Sequence, residues 1–281
     1  VGSEMCIRDR LGSVEGQNRY KIWYDKPASY WEEALPIGNG RIAAMVFGDP
    51  QLEQIQLNEE TVSAGSPYQN YNEEAKAALP EMRRLIFEGK YEEAQNMAAT
   101  KILSQVGNEM PYQTVGRLNI RYQDHKKVSN YYRDLDISNA MTVTRYKVDG
   151  VEFTEETFAS FTDQLVIRHI KSSKPGAINC ELFFNTPMRD PKRSIYGKKG
   201  LRLEGITHGS RYFPGKVHYC ADLDVKNKGG EVTMANDTLL SVQGASELTL
   251  YISMATNFVN YKDISGDPYQ RNKTYLKNAE K

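Results

Sequence analysis

The feature that most constrains the fold of this chain is an alternation of apolar and polar residues after residue 105. Every second residue is apolar in four runs, which are Leu118–Tyr122, Ile178–Phe184, Tyr219–Val225 and Leu248–Met254. A period of two is typical of strands that bury one face, because successive side chains of a strand point to opposite sides of its sheet. The pattern therefore predicts a β protein.

Turn-forming residues separate these runs at short spacing, as at Asp149-Gly150 and Lys228-Gly229-Gly230. Many short strands without alternating helices predict a sandwich or a barrel, and not a parallel sheet. Further strands are predicted over Arg41–Phe47, Leu52–Leu57, Met141–Val148, Phe153–Phe161, Leu165–Ile170 and Leu239–Val242. The predicted fold class is mainly all-β and antiparallel.

One segment departs from this pattern and predicts a short helical insertion. Asn72 is placed to cap a helix over Glu73–Leu79, and Pro80 suits the first turn of a second helix. A third helix is predicted from Tyr91 to about Leu103. Each has apolar residues on one side only, so we expect these helices to cover an edge or a face of the sheet.

The two ends of the chain are interpreted separately from its middle. Residues 1–9 can be encoded by bases that resemble the tail of an adapter used in sequencing libraries, so residues 1–12 are interpreted as an assembly artefact followed by a disordered start. The sandwich domain is predicted over residues 18–262. Residues 263–281 are polar, lack the alternation and are predicted to begin a linker.

Composition narrows the classes of partner. The chain has 36 Lys and Arg residues and 36 Asp and Glu residues, so no net charge attracts nucleic acid or an anionic membrane. No window approaches 18 uninterrupted apolar residues, so no membrane span is predicted. A neutral sugar is a compatible ligand.

The sequence contains no arrangement that predicts catalysis. Adjacent acidic residues on a strand point to opposite faces, so Glu155 and Glu156 are interpreted as solvated surface charges and not as a catalytic pair. The four histidines lack metal-ligand spacing, and no metal or cofactor is predicted. Cys180 and Cys220 are interpreted as buried small side chains, although a bridge between them stays open.

Two tryptophans and two tyrosines form the densest aromatic cluster, over residues 23–31. Aromatic faces stack on sugar rings, but bulky aromatic residues near an N-terminal strand more often pack in a core or between domains. Packing is therefore the favoured interpretation of Trp23, Tyr24, Tyr30 and Trp31.

Three segments carry a family resemblance. Trp23–Ala28, Leu35–Gly48 and Ile55–Gly65 resemble the opening of glycoside hydrolase family 95. The helical segment Ala78–Tyr91 and the stretch Ala255–Pro268 resemble later landmarks of that family, so the similarity extends over roughly residues 20 to 275.

The resemblance implies an N-terminal super-β-sandwich of two antiparallel sheets, followed by a helical linker, an (α/α)6 catalytic barrel and a C-terminal β domain. The implied activity is inverting hydrolysis of terminal L-fucose on glycans. Because the family's catalytic groups belong to the barrel, the resemblance implies a chain truncated before it, without catalytic residues and inactive alone. By analogy, the intact enzyme is expected in the periplasm or outside the cell.

Five residues of the resembling segments are candidates for the surface that meets the barrel or borders its cleft. They are Asn39, Arg41, Asn58, Glu59 and Thr61. Three alternatives remain open at this point: a stand-alone carbohydrate-binding sandwich, the corresponding domain of an α-L-galactosidase, and that of a disaccharide phosphorylase.

Overall fold

The computed structural model describes residues 20–104, 110–209 and 213–279. The interpretation of residues 1–12, and the first two residues of the predicted domain, lie outside the described residues. Within them the chain forms two antiparallel sheets packed face to face, with three α-helices. The predicted antiparallel sandwich with a helical insertion is confirmed.

Nine strands form the larger sheet. Their spatial order is β1 (Lys21–Tyr24), β6 (Val128–Asp136), β7 (Met141–Val148), β8 (Val151–Ser160), β9 (Leu165–Ser172), β16 (Glu247–Thr256), β13 (His218–Lys228), β12 (Gly200–Ile206) and β11 (Lys192–Tyr196). Seven strands form the smaller sheet. Their order is β14 (Glu231–Asn236), β15 (Leu239–Ala245), β10 (Ile178–Asn185), β5 (Gly116–Tyr122), β4 (Leu52–Glu59), β3 (Ile42–Val46) and β2 (Leu35–Gly38).

The alternating apolar residues line the space between the two sheets, as the period of two predicts. They are all buried in one continuous core, whose members from the four runs are Leu118, Ile120, Tyr122, Ile178, Cys180, Leu182, Phe184, Tyr219, Ala221, Leu223, Val225, Leu248, Leu250, Ile252 and Met254. Removing this apolar area from water is the main force that holds the sheets together.

The sequence did not single out six strands. Four lie at the sheet edges, β1, β11, β14 and β2, and two lie inside the larger sheet, β6 and β12. An edge strand has a neighbour on one side only and is less covered, so its apolar residues need not alternate. In β11 and β14 most residues are exposed. The predicted bounds of β7 are those of the structure, and the other predicted strands agree to within three residues at each end.

The helical insertion differs from the prediction. A single helix, α1 (Ala75–Phe87), runs through Pro80, so the predicted helix start at Pro80 was wrong. Strong helix formers precede Pro80 and compensate for the one hydrogen bond that proline cannot donate. The helix α2 (Tyr91–Met97) continues into a π-helix over Ala98–Ile102.

The helices of the insertion pack mainly on one another and not on the strands, so the prediction that they cover a sheet was also wrong. Ala78, Leu85 and Ala94 are the buried residues of α1 and α2. These few buried residues suffice for the contact between the two helices.

The predicted linker contains a third helix, α3 (Pro268–Asn278), which packs on β13 and β16. Asp267 caps it by accepting the N–H groups of Tyr269 and Gln270 at 2.9 and 3.1 Å. Asn272 and Leu276 are buried against the sheet. The segment is polar because most of its other residues face solvent.

The aromatic cluster is not part of the core. Trp23, Tyr30 and Trp31 are about half exposed, so a core position was a wrong expectation for them, whereas Tyr24 packs against the core beneath Arg133. Cys180 and Cys220 are buried and unpaired. They belong to different sheets, β10 and β13, and no bridge joins them.

Candidate interdomain surface

The turn between β2 and β3 fixes the first candidate residue. The Asn39 side-chain oxygen accepts the N–H groups of Arg41 and Ile42 at 3.0 and 2.9 Å, and Gly40 has a φ of +96°, which glycine adopts without strain. The Asn39 amide donates to the Ser160 carbonyl at the end of β8 at 2.9 Å. Asn39 therefore connects the smaller sheet to the larger one.

Arg41 is the centre of the group. Its Nη1 donates to the Met254 carbonyl of β16 at 2.8 Å, and its Nε donates to the Gln164 side chain at 2.6 Å. Its guanidinium also lies 4.8 Å from the centroid of the Tyr275 ring of α3, a distance at which the cation is attracted to the ring. One side chain thus joins both sheets and α3.

Glu59 is held beneath Arg41 and is only 4% exposed. Its Oε1 accepts a hydrogen bond from Arg41 at 3.3 Å, and its Oε2 accepts the N–H and hydroxyl groups of Thr61 at 2.8 and 2.6 Å. Burial raises the pKa of the Glu59 carboxyl, although Thr61 and Arg41 act in the opposite direction. Thr61 in turn hydrogen-bonds Thr256 of the larger sheet.

The structure therefore brings four of the five candidates together and separates the fifth. Asn58 precedes Glu59 on β4 and points to the opposite face of the sheet. Its side-chain oxygen is buried without a hydrogen-bond partner among the described residues. The four grouped residues, Asn39, Arg41, Glu59 and Thr61, are called the corner cluster below.

Two exposed aromatic residues adjoin the corner cluster. Phe161 lies in the β8–β9 turn and is 76% exposed, and its carbonyl accepts a hydrogen bond from Gln164 at 2.6 Å. Tyr112 is also exposed and donates to the Glu59 carbonyl at 3.1 Å. Sequence reasoning missed both, since isolated aromatic residues in turns carry no periodic signal.

A second cluster of charges lies in the core and corrects the interpretation of Glu155. This residue is 1% exposed and pairs with Arg168 of the neighbouring strand β9, so the surface assignment was wrong. Arg168 also donates to Glu53 of β4 at 2.9 Å. Tyr122 and Tyr146 donate to Glu155 at 2.5 and 2.7 Å.

Burial raises the pKa of Glu53 to about 7, against the opposing charge of Arg168. Glu53 also accepts the N–H groups of Phe47 and Gly48 at 3.2 and 3.0 Å. We call Glu53, Glu155 and Arg168 the core triad. It has no solvent access, so a sugar cannot reach it, and its role is structural.

The described residues contain neither a metal-ligand group nor a membrane-spanning helix. Residues 20–104, 110–209 and 213–279 hold no group of three His, Cys, Asp or Glu side chains arranged for a metal ion. Within the same ranges no helix has the length and apolar character needed to cross a membrane.

Comparison with known protein families identifies the family of the chain, which the geometry of the corner cluster alone does not. A family model described as "Glycosyl hydrolase family 65, N-terminal domain" matches residues 22–261, which include all strands except part of β1. The chain belongs to this family of N-terminal domains. The sequence prediction of an N-terminal glycoside hydrolase domain is thereby confirmed.

Curated relatives of this family 65 N-terminal domain are named as fucosidases. "Alpha-L-fucosidase 2" of Arabidopsis thaliana is 30% identical over 276 residues, covering 89% of this chain and 32% of that protein. "Probable alpha-fucosidase A" of Aspergillus niger is 26% identical over 162 residues, covering 54% of the chain and 20% of that protein. The protein of the same name from Aspergillus oryzae is 22% identical, covering 92% and 36%.

The chain thus spans about a third or less of the length of these relatives. Among solved structures, a "Putative kojibiose phosphorylase from human microbiome" has a TM-score of 0.42 and 10% identity. The match covers 93% of this chain and 35% of that one, and the likeness is too weak to show a common fold.

Proposed function

We propose that this chain is the non-catalytic N-terminal β-sandwich domain of an inverting α-L-fucosidase of glycoside hydrolase family 95, which acts on terminal L-fucose of glycans. The observation that carries the proposal is the 30% identity to alpha-L-fucosidase 2 over 89% of this chain. The alignment takes up only 32% of that relative, which leaves ample length there for a separate catalytic domain.

The buried acids of the described residues support a non-catalytic role. Inverting hydrolysis needs two groups that face the sugar across a gap of roughly 6.5 to 9.5 Å, with room for a water. Glu53 and Glu155 share Arg168 in the core, and both oxygens of Glu59 accept hydrogen bonds within the corner cluster. Hydrolysis is therefore assigned to an (α/α)6 catalytic domain that follows the sandwich.

The corner cluster supports a location for the contact with that domain. Arg41 lies against Tyr275 of α3, the last helix of the described residues. The exposed residues Phe161 and Tyr112 adjoin the same corner. Burying such a ring against a partner contributes roughly 1.5 to 3 kcal/mol, so we propose that the downstream domain covers both rings. The cluster beneath would hold them in place.

The experiment compares two proteins, which are the chain ending at Lys281 and the same chain extended through its downstream coding sequence. Release of L-fucose from 2′-fucosyllactose is measured for both, and we expect turnover by the extended protein only. Release by the chain ending at Lys281 would contradict the proposal, as would an extended protein without fucosidase activity.

The same assay decides between the open alternatives. A phosphorylase would require inorganic phosphate and form a sugar phosphate, whereas a hydrolase releases free sugar without phosphate. An α-L-galactosidase would prefer the L-galactoside over the L-fucoside. Detection of a signal sequence upstream of this chain in the parent gene would test the expected export to the periplasm or cell exterior.

A further inference from the structure

A shallow groove lies on the outer face of the larger sheet, close to its β1 edge. Its volume is about 280 Å³. Side chains from β6, β7 and β8 and from the β6 bulge line it, and they are Asn130, Tyr132, Arg145, Lys147 and Glu152. The proposed fucosidase function uses none of these residues.

An aromatic surface borders the groove. The strand register pairs Trp23 with Asp134 and Tyr132 with Arg145, which places both rings on the outer face of the sheet. The ring planes are 21° apart and the centroids 6.1 Å apart. Nearly parallel rings at that separation are offset sideways, so together they form one extended apolar surface.

This surface is both accessible and fixed. Trp23 is 43% exposed, so a ligand can reach its ring. Tyr132 lies on β6 two residues from Asp134, which is 1% exposed and accepts from Lys21 at 3.3 Å. A ring that is already stacked on a neighbouring ring loses little conformational freedom when a ligand binds to it.

Hydrogen-bonding groups face the groove beside the rings. Among the described residues, no hydrogen bond occupies the Arg145 guanidinium or the Asn130 side-chain amide. A bulge in β6 between Ser129 and Tyr132 places Asn130 at a φ of +52°. Bulges of this kind redirect side chains and are common beside binding sites.

The charges around the groove balance. Three basic and three acidic side chains lie in it or directly beside it, and they are Lys21, Arg145, Lys147, Asp134, Asp136 and Glu152. Lys147 and Glu152 pair at 3.6 Å. An anionic ligand therefore gains no net attraction, and a neutral ligand with a flat apolar face and many hydroxyl groups fits the groove better.

We propose that the groove lined by Tyr132, Arg145 and Asn130, with Trp23 stacked on Tyr132 at its border, binds a neutral oligosaccharide. Two stacked sugar rings would cover the aromatic surface, while Arg145 and Asn130 would hydrogen-bond ring hydroxyls. So small a contact area predicts weak binding, with a dissociation constant of about 1 mM. This inference does not depend on the fucosidase activity.

The test measures binding of 2′-fucosyllactose, cellohexaose and maltohexaose to the 281-residue chain by isothermal titration calorimetry, up to 10 mM sugar. We expect at least one of the three to bind. Trp23→Ala should weaken that binding at least tenfold, and Arg145→Met about fivefold. Trp31→Ala is the matched control, because Trp31 is 48% exposed but, unlike Trp23, does not stack on the groove residue Tyr132, and it should leave binding unchanged.

Three outcomes would overturn the proposal. The first is no binding of any of the three sugars. The second is binding that neither Trp23→Ala nor Arg145→Met weakens, with the melting temperature showing that Arg145→Met, an exposed substitution, is folded. The third is loss of the binding when the chain is extended through its downstream coding sequence, which would mean that protein covers the groove.

Discussion

Arg168 and Glu53 meet in the interior of the sandwich, one from each sheet, with 2.9 Å between Nη2 and Oε2. Glu155 contacts the same guanidinium from the strand beside Arg168. All three side chains are essentially unexposed. One cation therefore pairs with two carboxyl groups in the buried interior of the sandwich.

Arg168→Met should destabilise the domain strongly. The substitution leaves Glu53 and Glu155 buried without a cation, and removing one partner of a buried pair costs about 3 to 5 kcal/mol. The free energy of unfolding in urea measures the loss. The control is Arg121→Met, which breaks the exposed Arg121–Glu181 pair at 3.1 Å and should cost less than about 1 kcal/mol. Equal losses for the two variants would contradict the prediction.

The core triad should also give the domain a pH-dependent stability. The pKa of Glu53 is raised from 4.5 to about 7 in the folded protein, so the folded state holds a proton that the unfolded state releases between these values. Stability from this group is fully present below pH 4.5 and is lost as the pH rises through 7. At about 1.4 kcal/mol per pH unit, the loss is about 3 kcal/mol.

Glu53→Gln isolates this effect, because glutamine keeps the shape and does not titrate. The free energy of unfolding of the wild type minus that of the variant should fall by about 2.5 kcal/mol between pH 5 and pH 8. Urea unfolding at several pH values gives both terms. A difference that stays constant or grows with pH would show that Glu53 is ionised throughout.

Gly48→Ala should destabilise the domain more than Gly150→Ala. The two glycines have similar φ angles of +74° and +80°, so both alanines carry the same backbone strain of about 1 to 2 kcal/mol. A Cβ at Gly48 would lie 2.7 Å from the Tyr131 hydroxyl, whereas one at Gly150 meets nothing within 4 Å. Thermal unfolding of both variants measures the difference, and equal melting temperatures would refute the steric argument.

Asn272→Ala should loosen α3 from the larger sheet. Asn272 accepts from the Ser253 hydroxyl at 2.8 Å and donates to the Cys220 carbonyl at 3.0 Å. The substitution removes both hydrogen bonds and leaves the Ser253 hydroxyl buried without a partner, at about 1 to 3 kcal/mol. Hydrogen exchange of the α3 amides should become faster, while Lys273→Ala, an exposed neighbour, should leave it unchanged. Unaltered protection in Asn272→Ala would show that apolar contacts alone hold the helix.

The limits of sequence reasoning are clear from two pairs of residues. Leu248 and Leu250 were assigned to the core from their spacing alone, and both are fully buried. Glu155 and Arg168 also occupy inward positions of a strand. A charged residue at such a position is predicted to lie on the surface as long as its buried partner is unknown. The partner that completes the triad, Glu53, is 115 residues from Arg168 along the chain.

The corner cluster shows the same limit at the candidate site. The motif drew attention to Asn39, Arg41, Glu59 and Thr61, but their partners Met254 and Thr256 lie about 200 residues away. Nothing in a local motif tells whether such residues face a second domain or join two sheets of one domain. In the described residues they join the sheets, and contact with a further domain stays a prediction.

The sequence by itself determined the two-layer β architecture, because the side-chain period of a strand is a local property that any stretch of chain displays. The tertiary structure alone decided which polar groups are buried together, since charges 100 to 200 residues apart pair only when both sheets are in place. It also decided that the last segment forms a helix against the sheet. In a polar segment, the few residues that become buried can be identified only when the surface on which the helix packs is known.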